Sequence, residues 1–305
     1  MTASVATLKV PAAAKINLYL HVTGLSDGGY HTLDSLVAFA GIHDTITLTL
    51  PPASAPHLSL TVVGPFADGL DTGDDNLVMK AADRLRRASG YEGGCAIELE
   101  KNLPVSAGIG GGSADAAAVL GGLVRLWNLD ADALDLNDLG LSLGADVPVC
   151  LFGQAAYVGG IGEEITRAPA LPAAWLVLIN PGAQVSTPAV FNARQETNQG
   201  RGSGTDRFKD TPATAAVLAE YLNARGNDLS EAAIGLQPVI EDVLAALKSS
   251  EDVLLARMSG SGATCFGLYA DADGAARAAA ALNQQHPGWW VQATPLLSDT
   301  RPLAG

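Results

Sequence analysis

Short stretches of this chain carry side chains whose types suit the transfer of a phosphoryl group. In LPVSAGIGGGSADAAAVLGGL, Leu103 to Leu123, glycines crowd a loop directly ahead of an alanine-rich run. Unpaired N–H groups at the mouth of a helix, with the positive end of its dipole, attract an anion, and glycine lets phosphate oxygens approach without a Cβ in the way. The helix is expected to begin at or near Ser113, and a side chain at Gly111 is expected to crowd the phosphates. In PAAAKINLYLHVTG, alternation sends Lys15, Asn17, Tyr19 and His21 to the face opposite Ile16, Leu18 and Leu20, so an ammonium and an amide project together from one strand. In SLGADVPVCLFG, Asp146 follows a Gly-Ala turn and precedes Pro148. Phosphoryl transfer needs positioning and charge stabilisation more than covalent chemistry, so one carboxylate, one lysine, a metal ion and a backbone cradle suffice.

Each stretch taken alone also has a plain structural reading. The glycines suit a turn with Ser113 as helix cap, Asp146 ahead of Pro148 suits a cap with proline in the first turn, and RMSGSGATCFGLY, Arg257 to Tyr269, suits a tight turn feeding a strand. Two common phosphate loops are excluded. No Gly-Lys dipeptide occurs in the chain, so there is no Walker A motif, and serine at position 113 stands where a dinucleotide fingerprint needs glycine or alanine.

The elements that must carry these residues are legible in outline. Period-two alternation marks strands at KINLYLHV, TITLTL, HLSLTVV and CAIELEK, and later strands are expected at QAAYVG, WLVLIN, ATCFGLYA and WWVQAT. Helical spacing marks NLVMKAADRLRR, the run after Ser113, ATAAVLAEYLNAR and PVIEDVLAALK. Clustering of strands and helices favours an α+β fold, with a domain boundary near residue 165. QETNQGRGSGTDRFKD, Gln195 to Asp210, reads as a mobile surface loop.

Composition bounds the class. With 32 acidic against 18 basic side chains the formal charge is −14, which argues against nucleic-acid binding. An anionic ligand must then be held by local devices, so each placed lysine is informative. Cys95, Cys150 and Cys265 show no paired spacing, and His21, His31, His43, His57 and His286 show no metal-helix pairing. A reducing, cytoplasmic setting with no membrane span and no exported leader is expected.

In this order, PAAAKINLYLHVTG, LPVSAGIGGGSADAA and MSGSGATCFG resemble the three motifs of the GHMP small-molecule kinases, over about Val10 to about Leu268. DGGYHTLDSLVAF, GDDNLVMKAADRL, LGADVPVCLFG and STPAVFN are similar to the branch whose acceptor is a cytidyl diphosphate ester of methylerythritol. The resemblance implies a two-domain α+β fold, with a strand-rich ATP-binding domain over residues 1–164 and an α+β C-terminal domain over 165–305. It implies ATP as co-substrate, Mg²⁺, and phosphorylation of the acceptor's tertiary hydroxyl in the non-mevalonate isoprenoid route.

The resemblance also implies roles. Asp146 takes the hydroxyl proton, Lys15 stabilises that carboxylate and the transferring group, and Asn17 positions the methylerythritol. Gly108, Gly110, Gly111, Gly112 and Ser113 hold the triphosphate, with Pro104, Asn76 and Lys101 on the ATP side. Tyr30 and Phe191 sandwich cytosine, His31 reads its edge, and Thr187 joins the acceptor site. Ser259, Gly260, Ser261 and Gly262 form the third glycine motif. Ala114 replaces a serine common in the family, which leaves Ser113 and Asp115 as local candidates for the metal. Alternatives from the same motifs are a kinase of mevalonate-type or homoserine-type alcohols, which would lack GGYHTL and STPAVF, or a nucleotide-binding module that needs neither Lys15 nor Asp146. Monomer and homodimer are both compatible with the sequence.

Overall fold

A computed structural model describes residues 6–51, 57–196, 207, 208 and 210–304. Two 19-residue strands, β1 (Thr7–Leu25) and β2 (His31–Thr49), form an antiparallel pair along their whole length. Period-two reasoning finds only Lys15–Val22 and Thr45–Leu50 of this pair. The reason lies in Ser35–Ala40, which is buried without interruption, so its sequence carries no alternation.

β3 (Leu58–Val63) runs parallel to β4 (Cys95–Glu100), which pairs with the end of β2. Between them, α1 (Leu77–Ser89) starts where the Asn76 side chain accepts from the Val78 N–H and stops at Gly90, whose φ of 68° ends the helix in the left-handed region. Its buried Val78, Ala81, Ala82 and Leu85 pack with α2 (Gly111–Leu126) against Ile46, Leu48, Ile97 and Leu99 of the sheet. Three alanines in a row, Ala116, Ala117 and Ala118, let α2 lie close to those strands.

α3 (Leu136–Leu143) and α4 (Val147–Phe152) lead to β5 (Ala156–Gly160), which pairs with β2 and with β6 (Glu164–Arg167). The second half contributes β7 (Trp175–Asn180), α5 (Thr187–Glu196), α6 (Ala215–Asn223), α7 (Ser230–Leu236), α8 (Val239–Lys248), β8 (Leu255–Met258), β9 (Cys265–Tyr269), α9 (Ala272–Gln285) and β10 (Trp290–Leu297). β10 pairs with β7 and, through Leu296 and Leu297, with β2, so one sheet of order β3-β4-β2-β10-β7-β9-β8 runs through both halves. This is the α+β architecture expected.

Gln195 and Glu196 close α5 and do not begin a loop. Residues 197–206 and 209 of the expected surface loop lie outside the described residues. Phe208 meets the rings of Tyr157 and Tyr221 at centroid distances of 5.7 and 4.7 Å and packs on the core, so the far end of that stretch is anchored.

The β1–β2 register shifts at three points, between Ala13 and Lys15, Asn17 and Tyr19, and Val22 and Gly24, and the second of these falls inside the site strand. Asn17 opposes Val37 and Tyr19 opposes Leu36, which leaves Leu18 as an extra, bulged residue. Past a bulge the faces exchange. Ile16, Leu18 and Tyr19 share one core cluster, whereas Lys15, Asn17 and Leu20 line the central cleft. The expectation that Tyr19 and His21 share the Lys15 face is corrected by this bulge.

Candidate active site

The cleft, of about 880 Å³, lies between the glycine-rich mouth of α2, the middle of β1 and β2, and the start of α5. α2 begins two residues earlier than expected. Gly110, at φ 62°, occupies the cap position with no side-chain bond, and Ala114 N–H makes a helical bond to Gly110 O at 2.8 Å. The glycines therefore form the first turn itself, and the N–H groups of Gly111, Gly112 and Ser113 have no partner within the helix. This arrangement suits an anion with several oxygens.

The loop is held from behind by the third glycine segment. Ser259 Oγ accepts from Asn17 N–H at 3.1 Å and donates to Gly108 O at 3.0 Å, while Thr264 N–H donates to Ala107 O at 3.1 Å. The backbones meet so closely that a Cβ at Gly108 would lie 2.5 Å from Ser259 O and 2.7 Å from Gly262 N. Gly108 also has φ 73°, so this position requires glycine on both counts. Asn227 Nδ2 binds Met258 O and Gly260 O and fixes the turn from the other side.

Lys15 and Asp146 meet in the cleft, with Nζ 2.9 Å from Oδ2. Lys15 Nζ also donates to Asn17 Oδ1 at 2.8 Å, and Asn17 Nδ2 donates to Ser35 Oγ at 2.8 Å. The Lys15 side chain is 4 % exposed and that of Asp146 46 % exposed, so a pinned ammonium presents a carboxylate to the open cleft. Asp146 does stand at the cap position of α4, but its side chain makes no cap hydrogen bond. A Cβ on Gly110 would sit 3.0 Å from Lys15 Cε and 3.8 Å from Asp146 Oδ2, so the anion mouth and the pair adjoin.

Lys101 lines the cleft, yet its ammonium is buried between two carboxylates. It pairs with Asp44 Oδ2 and, at 2.7 Å, with Asp115 Oδ2 in α2. Asp44 Oδ1 accepts from Asn102 N–H at 2.6 Å and Leu103 N–H at 2.8 Å, which ties the root of the glycine loop to β2. Burial opposes the Lys101 charge, but Asp115 and Asp44 outweigh it and hold the ammonium above its ordinary range. Burial pushes the Asp115 carboxyl up to about 7 against the pull of Lys101, and its Oδ1 is a buried atom with no hydrogen-bond partner. A Cβ at Gly111 would meet Lys101 Nζ at 3.2 Å, so a side chain there also crowds this cluster. At Gly112 the space is open.

Asn76 and Pro104 line the same end of the cleft, with the Asn76 amide donating to Asp71 O at 2.6 Å. At the other end, Thr187 Oγ1 and Ser261 Oγ lie 2.7 Å apart, and Phe191 lines the wall. The structure does not place Tyr30 against Phe191. His31 stacks on Phe191, with ring centroids 4.6 Å apart and planes 24° from parallel, and Tyr30 is 66 % exposed. Tyr30 sits in the turn before β2, where both its N–H and its carbonyl are bonded to Ser26 and its ring is left outward. Burial, and then the nearby Arg194, lowers the His31 pKa.

Sequence reasoning missed Ser35, Asp44 and Asp228. Asp228 accepts from Val22 N–H at 2.9 Å and pairs with His21 at 3.2 Å, and hydrogen bonds hold its carboxyl low although burial pushes it up. None of these has a sequence signal, because each is recognised only by partners distant in the chain: Asn17 for Ser35, Lys101 for Asp44 and His21 for Asp228.

Comparison with known proteins follows the same lines. The GHMP kinases N terminal domain matches residues 76–154, and the GHMP kinases C terminal matches residues 213–288. The 4-diphosphocytidyl-2-C-methyl-D-erythritol kinase of Paramagnetospirillum magneticum is 52% identical over 292 residues, covering 96% of this chain and 99% of the relative. The protein of the same name from Rhodospirillum rubrum is 50% identical over 289 residues, covering 95% and 92%. A crystal structure of 4-(cytidine 5'-diphospho)-2C-methyl-D-erythritol kinase matches with TM-score 0.74 and 33% identity over 95% of this chain and 99% of that one. Mevalonate kinase from L. major, at 17% identity and TM-score 0.70 over 98% of each chain, shares the fold.

Proposed function

The chain belongs to the GHMP kinases, and within them to the 4-diphosphocytidyl-2-C-methyl-D-erythritol kinases, and from that membership we propose which of its residues carry the reaction. The enzyme transfers the γ-phosphoryl group of ATP to the tertiary hydroxyl of 4-diphosphocytidyl-2-C-methyl-D-erythritol in the non-mevalonate route to isoprenoid precursors. The observation that carries the residue assignment is the Lys15–Asp146 pair at 2.9 Å beside the glycine mouth of α2.

Asp146 accepts the hydroxyl proton as the phosphoryl group arrives. Lys15, held by Asn17, stabilises that carboxylate and offsets charge on the transferring oxygens, and the N–H groups of Gly111 to Ser113 cradle the triphosphate. Among the described residues no group of three or more His, Cys, Asp or Glu could hold a metal. Mg²⁺ needs no such cage, since it keeps water and takes phosphate oxygens with one or two protein oxygens. Ser113 and the unpartnered Asp115 Oδ1 fit that role. Bound there, Mg²⁺ would neutralise charge on the phosphates. Asn76 and Pro104 flank adenosine, and Lys101 serves ATP through the loop it holds.

Thr187, Phe191, His31 and Tyr30 form the cytidine end, with Tyr30 folding down onto the base. Division at residue 164/165, at the start of β6, is supported only in outline by the two family matches, which fall on either side of it. A cytoplasmic enzyme is supported by three free cysteines, and no helix among the described residues is long and apolar enough to cross a membrane.

The assignment is tested by ADP release over a panel of cytidyl-methylerythritol, methylerythritol phosphate, mevalonate and homoserine. The cytidyl compound is expected to be preferred, because base stacking on an aromatic ring contributes about 1–3 kcal/mol. Phe191→Leu and Tyr30→Leu are each expected to raise the acceptor KM about tenfold with the ATP KM unchanged. A rise in the ATP KM instead would move these rings to the adenine side. Gly112→Leu, which fills open space at the helix mouth, is expected to raise the ATP KM at least about tenfold with no loss of melting temperature, since leucine suits a helix better than glycine. Unchanged ATP affinity would remove the phosphates from that turn.

A further inference from the structure

Arg257 is buried, at 9 % exposure, and among the described residues no carboxylate pairs with it. An uncompensated buried cation is costly to a fold. Burial, and then the charge of Arg225, brings its pKa down to about 10. Its donors go to main-chain carbonyls instead: Nη1 to Leu18 O at 2.6 Å, and Nη2 to Leu222 O at 2.8 Å and Arg225 O at 2.7 Å. Leu18 is the bulged residue of β1. The next residues after the Arg225 carbonyl pair with β1 just beyond the bulge, with Leu20 N–H bonded to Gly226 O at 3.0 Å and Asp228 N–H to Leu20 O at 2.9 Å.

We propose that Arg257 is a positioning residue for phosphoryl transfer, gripping the Leu18 carbonyl next to Asn17 so that the bulge is held and Leu20 joins Lys15 and Asn17 on one cleft wall. Without the bulge, regular alternation would turn Leu20 to the same side as Ile16, away from Lys15 and Asn17. The guanidinium is suited to this because its planar fork reaches several carbonyls at fixed angles, which an ammonium cannot do. Two residues on, Ser259 bonds the Asn17 N–H and the Gly108 carbonyl, so one short segment sets the acceptor-side strand against the phosphate loop. The inference rests on the assignment of Lys15 and Asn17 to the transfer step.

The test uses the full-length enzyme, with kcat, both KM values and equilibrium ATP binding measured below the melting midpoint of each variant. Arg257→Met is expected to lower kcat about 30- to 100-fold, as a misplacement near 1 Å does, with the ATP Kd within about twofold of wild type. Arg257→Lys, which keeps the charge and lacks the planar fork, is expected to recover part of the loss. Wild-type kcat in folded Arg257→Met, with only a lower melting temperature, overturns the proposal and leaves a structural tie. Should Arg257→Met fail to fold, Arg257→Lys decides: a fall in kcat of about threefold or more at unchanged ATP Kd supports the proposal, and wild-type kcat overturns it. Lys15→Met in the same assay separates the two levels, since normal turnover there would sink the site assignment itself.

Discussion

Asp146→Asn and Lys15→Met are each expected to depress kcat by about two orders of magnitude or more while the ATP Kd stays near that of wild type. An alcohol is a weak nucleophile, and a positioned carboxylate that takes its proton contributes roughly 10²–10⁴-fold. Asparagine keeps the shape and removes the base. Methionine removes the charge that faces both the carboxylate and the incoming phosphoryl group, a service the −14 protein cannot draw from its general field. Because both variants break one unit, the double variant is expected to be little worse than the worse single one. Asp146 makes no cap bond to α4, so Asp146→Asn should melt close to wild type. Near-normal kcat with an early melt would return Asp146 to the role of helix cap. The measurements are steady-state ADP release, ATP binding at equilibrium, and thermal unfolding.

What the sequence showed of the fold follows from which faces are wet. β3 and β4 alternate because one face of each is exposed or partly exposed, and α1 shows its period because Asp83, Arg84 and Arg87 remain outside. The middle of β2 was not legible as strand, since burial on both faces erases the alternation. The Leu18 bulge was not legible either. Its Leu18 carbonyl is bonded by Arg257, far along the chain, and it reverses the faces of Tyr19 and His21.

The site divides in the same way. The glycine loop and the Lys15, Asn17 and Asp146 triad were visible from residue type and order, and the chain does bring them together. The start of α2, expected at or near Ser113, lies two residues earlier, because serine is a common cap whereas here Gly110 reaches the left-handed conformation and takes the cap position. The partners of Lys101 were invisible. Asp44 lies in a strand and Asp115 in a helix, and nothing local in HDTITL or SADAAA says that both carboxylates turn inward onto one ammonium.

Lys101→Met is expected to lower the melting temperature by several degrees and to raise the ATP KM, with the acceptor KM spared. Removing one partner of a buried ion pair leaves an unpaired charge and costs about 3–5 kcal/mol. Here two carboxylates, Asp44 and Asp115, would be left facing one another. Asp44 Oδ1 accepts the Asn102 and Leu103 N–H groups, so any shift of this carboxylate is passed to the root of the loop. Loosening that root moves the helix mouth and with it the phosphates. Asp115 is the relief valve. Its carboxyl, raised by burial to about 7, favours the folded protein when protonated, so the stability linked to it is present below the unfolded value of 3.8 and lost as pH rises through about 7. Asp115→Asn removes that loss and still accepts from Lys101, so its melting temperature should fall less than that of wild type between pH 4 and pH 8. Adding Asp115→Asn to Lys101→Met should recover part of the melting temperature, because a single carboxylate is then left unpaired. A direct contact between Lys101 and adenosine predicts the opposite pattern: weaker ATP binding at wild-type melting temperature, with no rescue by the second substitution.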